Sequence, residues 1–169
     1  MVQCNTCQSR SPSPDNSAGL QVAIDPFATR NICAYLESYF EPETIEYRCT
    51  ACQREYPAVR QIQLVATPNL IMVQLKRFKW NNGRLQKVNS LIECPLAITF
   101  SSKEFDLIAS ISHVGSVDSG HYVAFCKRQG AWFKFNDEIV QRCNGNEVIS
   151  RNSYVIFYAR NSSGGGGSE

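Results

Sequence analysis

What the chain lacks narrows its class before any motif is read. No apolar run approaches the roughly 18 residues that a membrane-crossing helix needs, and the N-terminus has no charged, apolar, small-residue pattern of a cleavable leader. Charge of one sign is scarce: the formal net charge is +2 and the pI is about 8.1. That balance is too mild to argue for nucleic acid. No segment repeats. The expectation is a soluble, intracellular protein, cytoplasmic or nuclear, with neither a nucleic-acid nor a membrane partner. What is present suits one domain with a substantial core: 169 residues, 43% hydrophobic and 19% charged.

Cysteine is plentiful, eight in all. Cys4-Asn5-Thr6-Cys7 opens the sequence, and Cys49-Thr50-Ala51-Cys52 answers it after 41 intervening residues. Two such knuckles present four thiolates to one tetrahedral ion, and four sulfurs favour zinc. Two disulfides or a redox pair are the other readings. A reducing compartment disfavours the first, and the missing βαβ context disfavours the second. A structural zinc held by Cys4, Cys7, Cys49 and Cys52 is the expectation. It would brace a small tip that has too little core of its own.

Between the knuckles, Gln8–Gly19 reads as a Ser/Pro-rich loop and Leu20–Ile24 as a strand. Thr29 or Asn31 can cap a helix whose apolar residues Ile32, Tyr35, Leu36, Tyr39 and Phe40 share one face. Tyr47 through Tyr56 forms the second knuckle, and Arg60–Thr67 reads as a strand around Gln61–Val65. Leu70–Leu75 is apolar enough for a buried central strand. A turn follows at Asn81-Asn82-Gly83, then strands at Leu91–Pro95, Phe105–Ser112 and Ser153–Ala159. Residues 162–169 are a Gly/Ser linker or appended tail.

One stretch concentrates chemistry. Ser112-His113-Val114-Gly115-Ser116-Val117-Asp118-Ser119-Gly120-His121-Tyr122-Val123-Ala124-Phe125 runs a Gly/Ser loop into a histidine at the start of an aromatic strand. A turn at Gln129-Gly130 leads to a second strand ending on Asn136-Asp137. As a hairpin, Tyr122–Arg128 and Ala131–Phe135 bring His121 and Asn136 to the same end. An amide or carboxylate there can orient an imidazole and fix its tautomer. That is two thirds of a hydrolytic triad, without a nucleophile.

These segments, with Trp132-Phe133-Lys134-Phe135-Asn136-Asp137-Glu138-Ile139-Val140, resemble the histidine box of the ubiquitin-specific proteases, the papain-like deubiquitinases. The likeness extends to the paired cysteines, the Ile32–Phe40 helix, Pro68-Asn69-Leu70 through Leu75-Lys76-Arg77-Phe78, and Tyr154–Tyr158, reaching Asn161. It implies an α+β fold: an antiparallel palm sheet with a zinc-ribbon fingers extension, part of a papain-like cysteine protease. Fingers would span about 1–19 and 45–65, and the palm the rest of 1–161. It implies that His121 is the general base, that Asn136 orients it by accepting the Nδ1 proton, and that Asp137 is a polar helper. The loops 81–89 and 115–119 would flank the channel for an extended Gly-Gly tail, so the expected partner is ubiquitin or a ubiquitinated protein.

The family's cysteine box, Gly-Asn-Thr-Cys-Tyr-x-Asn-Ser, has no counterpart ahead of Cys4. The resemblance therefore implies fingers and palm, with the nucleophile on a thumb-bearing fragment or another chain, and no hydrolysis by this chain alone. A non-catalytic ubiquitin-binding or scaffolding module is the alternative. Asn31-Ile32-Cys33 imitates the box only loosely, and Cys33 reads as a structural thiol. Cys94, Cys126 and Cys143 read as plain thiols, and His113 as a structural residue hydrogen-bonded within its loop. Lys76, Arg77, Lys79, Arg84 and Lys87 read as a solvated cationic loop.

Overall fold

The computed structural model describes residues 1–12, 19–25, 27 and 30–161. The expected loop at 13–18, the Thr29 cap and the 162–169 tail lie outside the described residues. Two sheets dominate. The larger has eight strands, and its spine is the thirteen-residue strand Lys103–Gly115. Ser153–Arg160 flanks the spine on one side and Gly120–Arg128 on the other, both antiparallel. Beyond Gly120–Arg128 come Ala131–Asn136 and the edge strand Ile139–Cys143. Beyond Ser153–Arg160 come Leu70–Lys76 and, parallel to it at the far edge, Leu20–Ala23. Ala97–Phe100 pairs with the early part of the spine.

The alternation along Leu70–Lys76 explains its place: Ile71, Val73 and Leu75 are buried while Met72 and Gln74 are half-buried. Phe105 and Leu107 of the spine and Ile156 and Tyr158 of its neighbour extend that buried face. One helix, Ile32–Tyr39, covers part of it with Ile32, Tyr35 and Leu36. Each such side chain, once buried, is worth roughly 1.5–3 kcal/mol. Asn31 rather than Thr29 is seen to cap the helix, its side-chain oxygen accepting from the Ala34 amide at 3.1 Å.

The smaller sheet has four strands in the order Arg10–Ser11, Val2–Cys4, Glu55–Arg60, Glu43–Arg48. Two expectations fail here. Arg10–Ser11 is paired with Val2–Cys4, so it is not loop. The strand expected over Gln61–Val65 is displaced to Glu55–Arg60, and residues 61–65 are irregular. The alternating letters of 61–65 have no face to bury: Leu64 is 40% exposed and Val65 fully exposed. Pro57 hid the real strand. It is tolerated because Val2–Cys4 pairs only with Ala58–Arg60, leaving one flank open at residue 57.

The cationic segment is not a solvated loop. Phe78–Asn81 and Arg84–Lys87 form a hairpin around Asn82 and Gly83, both with positive φ (49° and 74°), the geometry of a type I′ turn. Arg77, just before it, is completely buried. Its guanidinium donates to the carbonyls of Ser153 at 2.5 Å, Val88 at 2.8 Å and Ser90 at 2.9 Å. Lys79 donates to the Ile24 carbonyl, and Lys87 to backbone of the spine strand. Main-chain carbonyls, not acids, receive these cations, with only Arg77 Nη2 left without a partner among the described residues.

Candidate active site and metal centre

The hairpin carrying His121 forms as the sequence suggests, and its register explains what meets what. Gln129 and Gly130, with φ of 48° and 79°, make the turn between Gly120–Arg128 and Ala131–Asn136. Ala124 lies opposite Phe135, so one step further Asn136 falls across from Val123. His121 shares the Val123 face, which puts it diagonal to Asn136. The contact is made: His121 Nε2 lies 2.5 Å from Asn136 Oδ1. Asp137, with φ of 52° at the turn, holds a carboxylate oxygen 3.8 Å from the same nitrogen.

The nitrogen is a correction. The amide oxygen meets Nε2, not Nδ1. Since that oxygen can only accept, Nε2 carries the proton and Nδ1 is left as the basic nitrogen. His121 and Asp137 side chains are 47% and 79% exposed, so the free nitrogen is open to an incoming group. Among the described residues no cysteine sulfur is hydrogen-bonded to this ring. The arrangement can orient an imidazole and accept a proton. It has no attacking atom.

His113 also departs from expectation. It lies on the spine strand, not in a loop, and its side chain is buried between Phe78 and Tyr122, ring centroids 5.4 and 4.9 Å away. Its Nδ1 has no hydrogen-bond partner among the described residues. Burial, then the Lys87 charge, pushes its pKa below the usual imidazole range, so it is neutral. A side chain at position 120 would collide with this ring, which accounts for Gly120.

At the other end of the molecule the four knuckle cysteines converge. The two Cys-x-x-Cys turns are near copies. Gln8 and Gln53 both have positive φ (59° and 55°), and their amides donate to the carbonyls of Cys4 and Cys49 at 3.0 and 2.8 Å. All four sulfurs lie within 4.8 Å of one another, with Cys4 to Cys52 at 4.0 Å and Cys7 to Cys49 at 3.6 Å. A tetrahedral ion bound at zinc–thiolate length separates its sulfurs by about 3.8 Å. The 3.6 and 4.0 Å separations bracket that value.

Its electrostatics agree. The Ser9 hydroxyl and then the Cys52 amide pull Cys49 down to about 6. Against the hydrogen bond from the Arg54 amide, burial and the three neighbouring sulfurs push Cys52 up to about 11. Crowded thiols cannot all ionise unless a cation neutralises them. The four cysteines can therefore hold a metal ion. Ser9, 3.1 Å from Cys7 Sγ and 3.2 Å from Cys49 Sγ, escaped the sequence reading because serines carry no spacing signal.

With this geometry in place, residues 1–158 match the family profile described as "UCH: Ubiquitin carboxyl-terminal hydrolase". The chain belongs to the ubiquitin carboxyl-terminal hydrolase family. It is 31% identical, over 93% of its length, to ubiquitin carboxyl-terminal hydrolase 8 of Saccharomyces cerevisiae, and covers 38% of that protein. Against ubiquitin carboxyl-terminal hydrolase 25 of Arabidopsis thaliana it is 30% identical over 94% of the chain and 26% of that protein. Among solved structures it is similar to the SAGA Ubp8/Sgf11/Sus1/Sgf73 DUB module bound to ubiquitin aldehyde, with a TM-score of 0.75 and 30% identity. That likeness covers 95% of this chain and 40% of the other. This ubiquitin carboxyl-terminal hydrolase chain thus spans about two fifths of the length of the yeast relative. The mostly-sheet architecture matches those structures, and the four-cysteine cluster of this chain fits a zinc ribbon.

Within the family frame, Cys33 and Cys94 are poor candidates for a nucleophile. Burial and then Glu37 raise the Cys33 thiol pKa, and burial pushes Cys94 up to about 12. No helix among the described residues is long and apolar enough to cross a membrane.

Proposed function

We propose that this chain is the base-bearing part of a ubiquitin-directed thiol isopeptidase. The four-stranded sheet is its fingers and the larger sheet its palm. The observation that carries the reading is the 2.5 Å contact of His121 Nε2 with Asn136 Oδ1, open to solvent, in a chain of this family. A cysteine outside these residues supplies the attacking sulfur. His121 Nδ1 takes the thiol proton as the sulfur adds to the carbonyl of the ubiquitin C-terminal glycine, and returns it to the departing lysine amine. Water then releases the acyl group with His121 again as base. Asn136 keeps the ring turned, and Asp137 adds a nearby negative charge to the imidazolium that forms.

The ion suited to the four cysteines is zinc, which when bound supplies a rigid anchor and no chemistry of the reaction. Cys4 and Cys7 would hold it from one knuckle, Cys49 and Cys52 from the other. Ubiquitin is the partner, its body resting on the fingers and its tail reaching the histidine.

A ubiquitin–fluorophore substrate tests this. The chain alone should release nothing. Addition of a fragment carrying the family's cysteine box should restore release, and His121→Ala should abolish it. Ubiquitin binding without turnover in that assembly would instead identify a non-catalytic ubiquitin-binding module.

A further inference from the structure

The spine strand outruns its neighbour. Pairing of Lys103–Gly115 with Ser153–Arg160 ends at Ser112 opposite Ser153, because residues before 153 leave the sheet through the short 3₁₀ turn Gly145–Glu147. The His113 amide still finds the Asn152 carbonyl, at 2.8 Å. The carbonyls of His113 and Gly115, two residues apart and on that same open side, have no strand to receive them. Both are taken by one ammonium. Lys87 Nζ donates to His113 O at 2.5 Å and to Gly115 O at 2.9 Å, and reaches Asn152 Oδ1 at 3.3 Å.

These carbonyls belong to the residues that set the histidine. On the other side of the spine, His113 pairs with Tyr122, Val114 with His121, and Gly115 with Gly120. The Gly115–Gly120 pair is pressed together: Gly115 has φ of +119°, and a Cβ there would lie 2.5 Å from Ser119 O. Beneath it the His113 ring occupies the space of any side chain at 120. The base of the loop is therefore held from below by a ring and from the side by the lysine.

We propose that Lys87 is a positioning residue for His121, standing in for the missing strand so that the 113–120 ladder keeps the catalytic imidazole on Asn136. The inference rests on the functional reading above only for the word catalytic; the clamp itself is independent of it. The Lys87 strand is anchored in turn, since the buried Arg77 bonds the carbonyls of Val88 and Ser90 immediately after it.

The test uses NMR on the zinc-loaded chain, which has only two histidines. Lys87→Met keeps the stem and deletes the ammonium. The variant should raise the titration midpoint of His113, confirming that the charge has gone from beside a still-buried ring. It should erase the His121-to-Asn136 side-chain cross-peak and speed exchange of the Ser116 amide, bonded to Ser119 O, at least tenfold. Lys87→Arg should restore both. An unchanged cross-peak and unchanged exchange in Lys87→Met overturn the proposal. If Lys87→Met does not fold, Asn152→Ala is read the same way, with about a threefold change expected and no change counting against the clamp. In the thumb-complemented protein, Lys87→Met should lower kcat about tenfold with KM within twofold. If the cross-peak is lost while kcat is unaltered, Lys87 positions His121 as proposed and the catalytic role of His121 is what fails.

Discussion

The cysteine tip and the histidine end are opposites in how they are completed. Four cysteine sulfurs gather at the tip within 4.8 Å of one another, yet the sheet under them is thin: among its four strands the fully or nearly buried apolar residues are Val2, Cys4 and Ala58. The histidine end rests on the eight-stranded sheet and its large core, and it brings the His121 ring onto Asn136 with no cysteine sulfur bonded to that ring among the described residues. One region gathers four thiols that can hold an ion on a sheet with little core. The other sets an imidazole against an amide on a sheet with a large core. Stability and activity should therefore separate on perturbation.

The largest effect is expected from the metal. Structural zinc sites of this type bind with about 10–16 kcal/mol. Chelation, or Cys49→Ser, should remove amide protection from Val2–Cys4, Glu43–Arg48 and Glu55–Arg60 while leaving Lys103–Gly115 and Ser153–Arg160 protected in hydrogen exchange. Simultaneous loss in both sheets would break the contrast, because it would make the tip part of one cooperative unit with the rest.

His121→Ala should do the reverse. In an assembly with a cysteine-box fragment it should cost on the order of 10³–10⁴ in kcat/KM, by analogy with removal of a triad member. Thermal stability should move by less than about 0.5 kcal/mol, since the side chain is half exposed. Asn136→Ala should cost less activity, as only orientation is lost. A variant that lost stability and activity together would show the histidine end to be structural.

Arg77 lies between these cases and shows where the sequence was silent. The paired cysteines, the capped helix at Asn31, the Gln129-Gly130 hairpin and the His121–Asn136 meeting were legible because each depends on spacing within one or two local elements. Arg77, Lys87 and His113 were not. Most of their partners are carbonyls and rings up to 76 positions away, and a carbonyl is the same letter-blind group on every residue. The nitrogen of His121 facing Asn136 was equally hidden. Burial pulls the Arg77 pKa down to about 10, still charged at neutral pH. Arg77→Met keeps much of the volume and strands the three carbonyls, each costing about 1–3 kcal/mol when left without a partner. A loss of about 3 kcal/mol in urea unfolding is expected, confined to the larger sheet. A neutral outcome would mean that water replaces the guanidinium.

The smallest effect is a pH dependence carried by His113 at the histidine end. His113 is held neutral by burial and by the Lys87 ammonium, the charged group facing it, while Phe78 and Tyr122 close the other sides. Its pKa in the fold is below the ordinary 6.5, so on acidification the unfolded chain takes up this proton first. Stability contributed by the neutral ring is complete above pH 6.5 and drains away as the pH falls below it. Urea unfolding of the chain with and without His113→Gln, measured from pH 8 to pH 5, isolates the term: the difference between the two should narrow below pH 6.5. Carboxylates titrate alike in both proteins and cancel. A difference that stays constant through that window would mean that water reaches His113, and the platform under Gly120 would then be softer than its packing implies.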